Sequence, residues 1–147
     1  MKEPVKKLLF ILASTICVLI ACTSPVPSGN KPDASALSGT WELNHIEGTG
    51  IVFDSLYSGK KPTISFDQAT MKAGGQTSCN HFSGPFNIDG NKISFSEPMT
   101  MTKMFCPGEG ENTFLATLKK VNTWSMSDTN TLVLLQDDHV LMRFVKK

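Results

Sequence analysis

The chain of 147 residues contains four cysteines, and these are its side chains best suited to covalent chemistry. A thiol can form a disulfide, carry a lipid, ligate a metal or act as a nucleophile, depending on its pKa and on its cellular compartment. Cys17 and Cys22 lie in or directly after an apolar N-terminal stretch, whereas Cys79 and Cys106 lie in the body of the chain. The two pairs therefore require separate explanations.

The N-terminal residues have the layout of a bacterial lipoprotein signal. Lysines precede an uncharged stretch over residues 8–21. This stretch is shorter than the roughly 20 residues that a membrane-spanning helix needs, and it fits the apolar core of a signal peptide. Its end, Leu19-Ile20-Ala21-Cys22, resembles a lipobox. We predict that residues 1–21 are a signal peptide and that Cys22 is acylated; a plain secretory signal or a single anchor helix are the alternatives.

Residues 22–36 are rich in Pro and Ser, as is typical of extended linkers. We therefore predict that acylated Cys22 and a flexible tether hold a folded domain of residues 37–147 at a membrane. The residue after the lipidated cysteine is Thr23, whereas an Asp there is associated with inner-membrane retention. The expected location is the outer membrane, facing the periplasm. The expected partners include the membrane itself and the machinery that processes and sorts lipoproteins.

Cys79 and Cys106 would then lie in an oxidising compartment, where two cysteines in one small domain favour a disulfide. In the chain-entropy model, closing a loop of about 28 residues contributes about 3.6 kcal/mol to stability. Two buried free thiols remain an alternative, as does a catalytic or metal-binding cysteine.

The sequence lacks the motifs that would indicate catalysis or metal binding. His45, His81 and His139 are too scattered for a zinc site, and neither His-Glu-x-x-His nor Cys-x2-Cys occurs. Gly-x-Ser-x-Gly and glycine-rich phosphate loops are also absent. We therefore predict no enzymatic activity, no metal and no cofactor. The formal net charge of +1 gives no electrostatic reason to expect a nucleic-acid partner.

Two features have both a structural and a functional interpretation. The Asn80 side chain can bond backbone groups in a turn, or it can contact a ligand. Methionines fill gaps in cores but also line adaptable apolar surfaces. The methionine set is therefore interpreted as core filling, or as a groove for a lipid tail or a partner's hydrophobic segment. This set comprises Met99, Met101, Met104, Met126 and Met142.

Alternating apolar and polar residues predict a domain of short antiparallel strands that must position these side chains. The predicted strands cover residues 39–46, 62–66, 69–73, 77–82, 84–88, 92–95, 99–102, 123–126, 132–135 and 140–145. Gly74-Gly75 and Asp89-Gly90 are predicted turns, Asp67-Gln68 is a predicted hairpin turn, and Gly84-Pro85 is a predicted bend or bulge. Residues 109–121 instead have helical apolar spacing, with acidic residues first and lysines last. The pattern therefore predicts a mainly β (α+β) domain with one α-helix.

Several motifs carry a family resemblance, and they occur in the order Gly39-Thr40-Trp41-Glu42-Leu43, Pro62-Thr63-Ile64-Ser65-Phe66, Cys79-Asn80-His81-Phe82-Ser83-Gly84 and Thr102-Lys103-Met104-Phe105-Cys106-Pro107. A Glu, a Phe-x3-Leu helix and two closing strands follow them. Together they resemble the META domain, or HslJ-like, family of bacterial envelope proteins. The resemblance implies a compact antiparallel β-barrel-like domain with one α-helix, in which structural motif positions are occupied by Trp41, Asn80, Gly84, Thr102 and Met104.

The sequence departs from the family pattern at two positions. Ser78 stands where the family often has Gly, which implies a different turn before Cys79. Phe105 replaces a residue that is usually small, which implies a bulkier wall beside Cys106.

The resemblance implies neither an enzymatic activity nor a known ligand. It favours a non-catalytic, lipid-anchored envelope protein that serves stress tolerance or envelope maintenance by binding an unidentified ligand or partner protein. The alternatives are a periplasmic lipoprotein inhibitor of a lysozyme-like enzyme, which would also be a tethered β domain with a disulfide, and a carrier of an apolar ligand.

Overall fold

The computed structural model describes residues 32–48 and 50–147. The predicted signal peptide, Cys22 and most of the predicted tether lie outside these residues. The strands are β1 (Thr40–Ile46), β2 (Thr63–Asp67), β3 (Lys72–Gln76), β4 (His81–Asp89), β5 (Lys92–Phe95), β6 (Thr100–Met101), β7 (Thr123–Asp128), β8 (Thr131–Gln136) and β9 (His139–Lys146). The helices are a 3-10 helix (Ala34–Leu37), α1 (Phe53–Leu56) and α2 (Gly110–Leu118). None of the described helices is both long and apolar enough to cross a membrane.

The strands form one antiparallel sheet that closes on itself. The order is β3-β2-β1-β9-β8-β7-β5-β4, and β4 pairs back with β3, which makes a barrel of eight strands. The ninth strand, β6, pairs only with β4 at Phe82↔Met101 and Ser83↔Thr100. The predicted mainly β, barrel-like fold is confirmed.

The predicted turn at Gly74-Gly75 is wrong, because both glycines lie inside β3. The hairpin predicted across Asp67-Gln68 is present, and in its turn the Asp67 carboxylate accepts hydrogen bonds from the backbone N–H groups of Ala69 and Thr70. A Cβ atom at Gly75 would lie 2.0 Å from the Thr63 carbonyl oxygen. Glycine is required there because β2 approaches closely. A close approach between strands and a turn both favour glycine, so the sequence alone does not distinguish them.

The predicted bend or bulge at Gly84-Pro85 is also wrong, since β4 is continuous through both residues and its pairing with β3 and β5 has no register shift there. A Cβ atom at Gly84 would lie 2.8 Å from the Met99 Cγ, so the glycine makes room for a packed side chain. The hairpin between β4 and β5 is present, but its two turn residues are Gly90 and Asn91, one position later than predicted, and Gly90 has a φ of 62°.

The predicted helix is present as α2, and its buried side chains enter the barrel. Phe114 is fully buried, with its ring centre 5.5 Å from that of Phe82 and 6.5 Å from that of Phe144. The short helix α1 was not predicted, because four residues are too few for an apolar period. The Tyr57 hydroxyl after α1 donates to the Gly110 carbonyl oxygen at 2.9 Å, which ties α1 to the start of α2.

The described residues include a short helix just before the predicted domain boundary at residue 37. Residues 34–37 form the 3-10 helix, and the Leu37 side chain is fully buried. The Leu37 carbonyl oxygen accepts a hydrogen bond from the Trp41 indole at 2.9 Å. Large side chains without solvent exposure fill the barrel interior, including Trp41, Trp124, Phe86, Phe114 and Phe144.

Candidate functional site

A disulfide joins Cys79 to Cys106, with 6.1 Å between their Cα atoms. Cys79 lies in the turn between β3 and β4, and Cys106 lies in the segment that follows β6. The sequence allowed a disulfide, two buried free thiols, or a catalytic or metal-binding cysteine. The structure contains the disulfide. The bond fastens the post-β6 segment to the barrel at one point.

Asn80 fastens the same segment at a second point. Its side chain is almost fully buried, and its Oδ1 accepts hydrogen bonds from the Thr102 hydroxyl and the Met104 backbone N–H, both at 2.8 Å. Its Nδ2 donates to the Met104 carbonyl oxygen at 3.1 Å and to Glu111 Oε1 at 3.2 Å. The amide therefore binds both backbone groups of Met104, as a neighbouring strand would. We call Asn80, Thr102, Met104 and Glu111 the Asn80 clip.

Thr77 connects the clip to the start of α2. Its side chain is fully buried, and its hydroxyl donates to Glu111 Oε2 while accepting from the Asn80 backbone N–H at 3.1 Å. The Glu111 carboxylate thus accepts hydrogen bonds from both Thr77 and Asn80. The sequence interpretation did not single out Thr77; a threonine three residues before an asparagine in a predicted turn is the local signal that could have found it.

Thr102 links the clip to β4. Its hydroxyl oxygen accepts from the His81 backbone N–H at 3.0 Å, and its own backbone N–H donates to the His81 carbonyl oxygen at 3.1 Å. The His81 ring is exposed and lies 3.1 Å from the Gln76 side-chain nitrogen. Within the described residues, no group of three or more His, Cys, Asp or Glu side chains could hold a metal ion.

The other two motif residues support the barrel away from the clip. Trp41 is fully buried, and the Lys146 ammonium lies 5.4 Å from its ring centre. Gly84 accommodates Met99, as described above. Three of the five motif positions, Asn80, Thr102 and Met104, therefore meet at the clip, and two do not.

Residues 101–105, here called the 101–105 segment, expose three apolar side chains. The exposed fractions are 38% for Met101, 58% for Met104 and 92% for Phe105. The expectation that Phe105 makes the wall beside Cys106 bulkier is wrong, because its side chain projects into solvent. The sequence could not indicate this, since exposure depends on the clip that holds the backbone.

The five methionines do not form one common groove. Met142 is fully buried in the core, whereas Met101 and Met104 are exposed. A small cleft of about 160 Å³ is lined by Met99 and Met101 from the β6 region, by Leu115 from α2, and by Glu97 and Lys119. The Lys119 ammonium and the Glu97 carboxylate are 2.7 Å apart.

A larger polar cleft of about 710 Å³ lies beside α1, between β1, β2 and the C-terminal lysine. Two of its lysines are paired with carboxylates: Lys147 lies 2.9 Å from Glu42, and Lys61 lies 3.9 Å from Asp54. Because these charges compensate each other, the cleft has no excess of acidic groups that would suit a cation.

These features define a small, closed antiparallel barrel whose signature residues fasten an exposed apolar segment. A family model described as the META domain matches residues 35–147. The chain therefore belongs to the META domain family.

Solved structures share this fold. An NMR structure of a protein from Burkholderia xenovorans has a TM-score of 0.59 and 23% identity, covering 79% of this chain and 91% of that chain. A crystal structure of a duf4847 family protein from Bacteroides vulgatus has a TM-score of 0.52 and 17% identity, covering 76% of this chain and 94% of that chain. These similarities concern the fold alone. No curated protein matches the chain.

Proposed function

We propose that this META-domain protein is a non-catalytic, lipid-anchored protein of the bacterial cell envelope. We propose further that it binds a partner protein through the 101–105 segment, and that this binding serves envelope maintenance or stress tolerance. The observation that carries the proposal is the 92% exposure of Phe105 on a segment fastened by a disulfide and the Asn80 clip. Exposed aromatic side chains of this kind are typical anchors of protein interfaces.

The fastening favours binding because the segment is ordered before the partner arrives. Both backbone groups of Met104 are held by Asn80 at 2.8 and 3.1 Å, and Cys106 is covalently linked to Cys79. A pre-ordered loop loses less conformational entropy on association than a mobile one. The clip and the disulfide thereby support a recognition role for Phe105.

The position of the N-terminal segment supports a protein partner over the membrane. The Ala34 carbonyl oxygen accepts a hydrogen bond from the Gln68 side chain, beside the turn between β2 and β3. Cys79 and Asn80 lie in the turn at the other end of β3. The described chain therefore begins near one end of β3, and the turn to which the 101–105 segment is fastened lies at the other end.

The lipid anchor is tested by Cys22→Ser in cells fed with labelled fatty acid. We expect the variant to lose the label and to leave the membrane fraction. Unchanged labelling would contradict the anchor without affecting the binding proposal.

The binding role is tested by placing a photo-cross-linking residue at position 105 in living cells. Val52, which is 72% exposed and lies before α1, provides a matched control position. We expect a discrete adduct at 105 but not at 52. We also expect a deletion strain to be sensitive to detergent, a Val52→Ala copy to restore resistance, and a Phe105→Ala copy to fail to restore it. Full complementation by Phe105→Ala would refute the proposal.

A second candidate follows from the same fastened loop, because a rigid protruding segment can also enter the cleft of a hydrolase. Inhibition of lysozymes by the purified protein, lost in Phe105→Ala, would identify the partner as an enzyme of that class.

A carrier of an apolar ligand has less support, since side chains such as Trp41 and Phe114 occupy the barrel interior. Co-purification of a lipid, seen by native mass spectrometry, would reverse that preference.

A further inference from the structure

The outer edge of β6 borders the small cleft next to α2. One edge of β6 pairs with β4, and β6 is the last strand in the sheet order. Met101 of β6, Leu115 of α2 and Lys119, the residue after α2, line the cleft of about 160 Å³. A strand edge next to a helix is a geometry in which an extended peptide can add to a sheet.

The backbone of the 101–105 segment directs hydrogen-bonding groups away from the barrel at two positions. Thr102 bonds to His81, and Phe82 is opposite Met101, so the Met101 N–H and C=O point away from β4. Both backbone groups of Met104 bond to Asn80, and we infer from alternation along an extended backbone that the N–H and C=O of Lys103 face outward as well. Within the described residues, no hydrogen bond engages the backbone N–H of Met101 or Lys103.

We propose that this edge receives an extended segment of the partner protein. The segment adds as a strand beside β6 and places one aliphatic side chain in the cleft between Met99, Met101 and Leu115. Lys103 is the single charged side chain in residues 99–108, so an acidic residue of the segment pairs with it. This inference rests on the proposed function and specifies the chemistry of its partner.

The observations favour an extended peptide over other occupants. Outward N–H and C=O groups are complemented by another extended backbone, whereas lipid tails offer no such groups. The cleft holds about 160 Å³, which suits one side chain rather than a drug-sized ligand. The Glu97–Lys119 ion pair at 2.7 Å also lines the cleft.

The test uses the full chain, isotope-labelled and purified in detergent, with the probe peptide acetyl-Glu-Val-Leu-Val-Glu-amide. We expect the peptide to slow amide hydrogen exchange at Met101 and Lys103 at least tenfold. The control is the same peptide N-methylated at all five residues, so that neither of its two edges keeps the backbone donors that strand pairing needs. We expect this analogue to give no protection.

A pair of variants provides a second readout. Lys103→Pro and Lys103→Ala both remove the charge, but only the proline removes the outward N–H. We expect the proline variant to bind the peptide at least tenfold more weakly than the alanine variant.

Equal binding of the N-methylated analogue, or no protection of the two amides, would overturn strand addition. Protection that depends on protein concentration without peptide would also overturn it, because the occupant would then be a second copy. Cross-linking at position 105 is independent of these outcomes, so the proposed function can survive the failure of this inference.

Discussion

The Asn80 clip can be tested by removing its amide. Asn80→Ala deletes two hydrogen bonds to Oδ1, both at 2.8 Å, and the two N–H donors of Nδ2, which lies 3.1 Å from the Met104 carbonyl oxygen and 3.2 Å from both Glu111 Oε1 and Cys106 Sγ. At about 1 kcal/mol net for each bond, the free energy of unfolding should fall by roughly 4 kcal/mol. This is a large part of the about 5–15 kcal/mol that stabilises a typical domain.

Asn80→Asp provides a sharper test, because it keeps the shape and the acceptor but loses the donor. The new oxygen would face the Met104 carbonyl oxygen at 3.1 Å and the Glu111 carboxylate at 3.2 Å. Burial and the adjacent negative charge raise the pKa of such a carboxyl in the folded state above its unfolded value of about 3.9. The protonated form is then favoured by folding, so the variant should regain stability as the pH falls from 7 toward 4.

Urea unfolding followed by the fluorescence of buried Trp41 and Trp124 measures both variants. Asn87→Ala is a matched control, because Asn87 is an exposed strand residue with one side-chain hydrogen bond, to Ser96 at 3.2 Å. We expect the control to lose less than about 1 kcal/mol. The clip argument is refuted if Asn80→Ala loses no more than the control, or if the stability of Asn80→Asp relative to wild type does not change with pH.

Four further predictions concern stability. Reducing the Cys79–Cys106 disulfide, 27 residues apart, should lower the free energy of unfolding by about 3.6 kcal/mol in urea titrations; identical curves with and without reductant would contradict this. Burial raises the pKa of Tyr57 above its ordinary value of 10.0. The protonated phenol therefore stabilises the folded state in full below pH 10.0, and this stabilisation is lost as the pH rises above that value. Because Tyr57 is the single tyrosine of the chain, its phenolate absorbance should appear together with unfolding, and ionisation in the folded state would count against this. Gly75→Ala should cost about 3 kcal/mol or more, since its Cβ atom would lie 2.0 Å from a β2 carbonyl oxygen; a melting temperature within about 2 °C of wild type would disprove it. Ser78→Gly should stabilise by about 1 kcal/mol, because Ser78 has a φ of 99°, and an unchanged melting temperature would argue against strain there.

The sequence predicted well those elements whose signal is local. The β5 strand has the predicted bounds, Lys92–Phe95, because the hairpin turn and the alternating residues lie within a few positions of each other. The regularly spaced apolar residues that predicted α2 likewise lie within the helical segment itself. The turn and the bend predicted from the glycines of β3 and β4 were wrong. Glycine is required at these positions by a close contact with a distant strand or side chain, which no local pattern reveals. Ser78 is an intermediate case: the family resemblance indicated an unusual turn, and its φ of 99° gives the physical reason.

The family resemblance indicated the barrel; by itself, the sequence determined the strand-rich class, the long helix of the domain and the pair of cysteines able to close a loop. These follow from periodicity and composition, which depend on neighbouring residues. Only the tertiary structure decided that Asn80 holds Met104 and Glu111, which are 24 and 31 positions away. It also decided that Phe105 projects into solvent instead of packing beside Cys106. The direction of a side chain on an irregular segment depends on which backbone groups distant residues hold, and no local pattern records that.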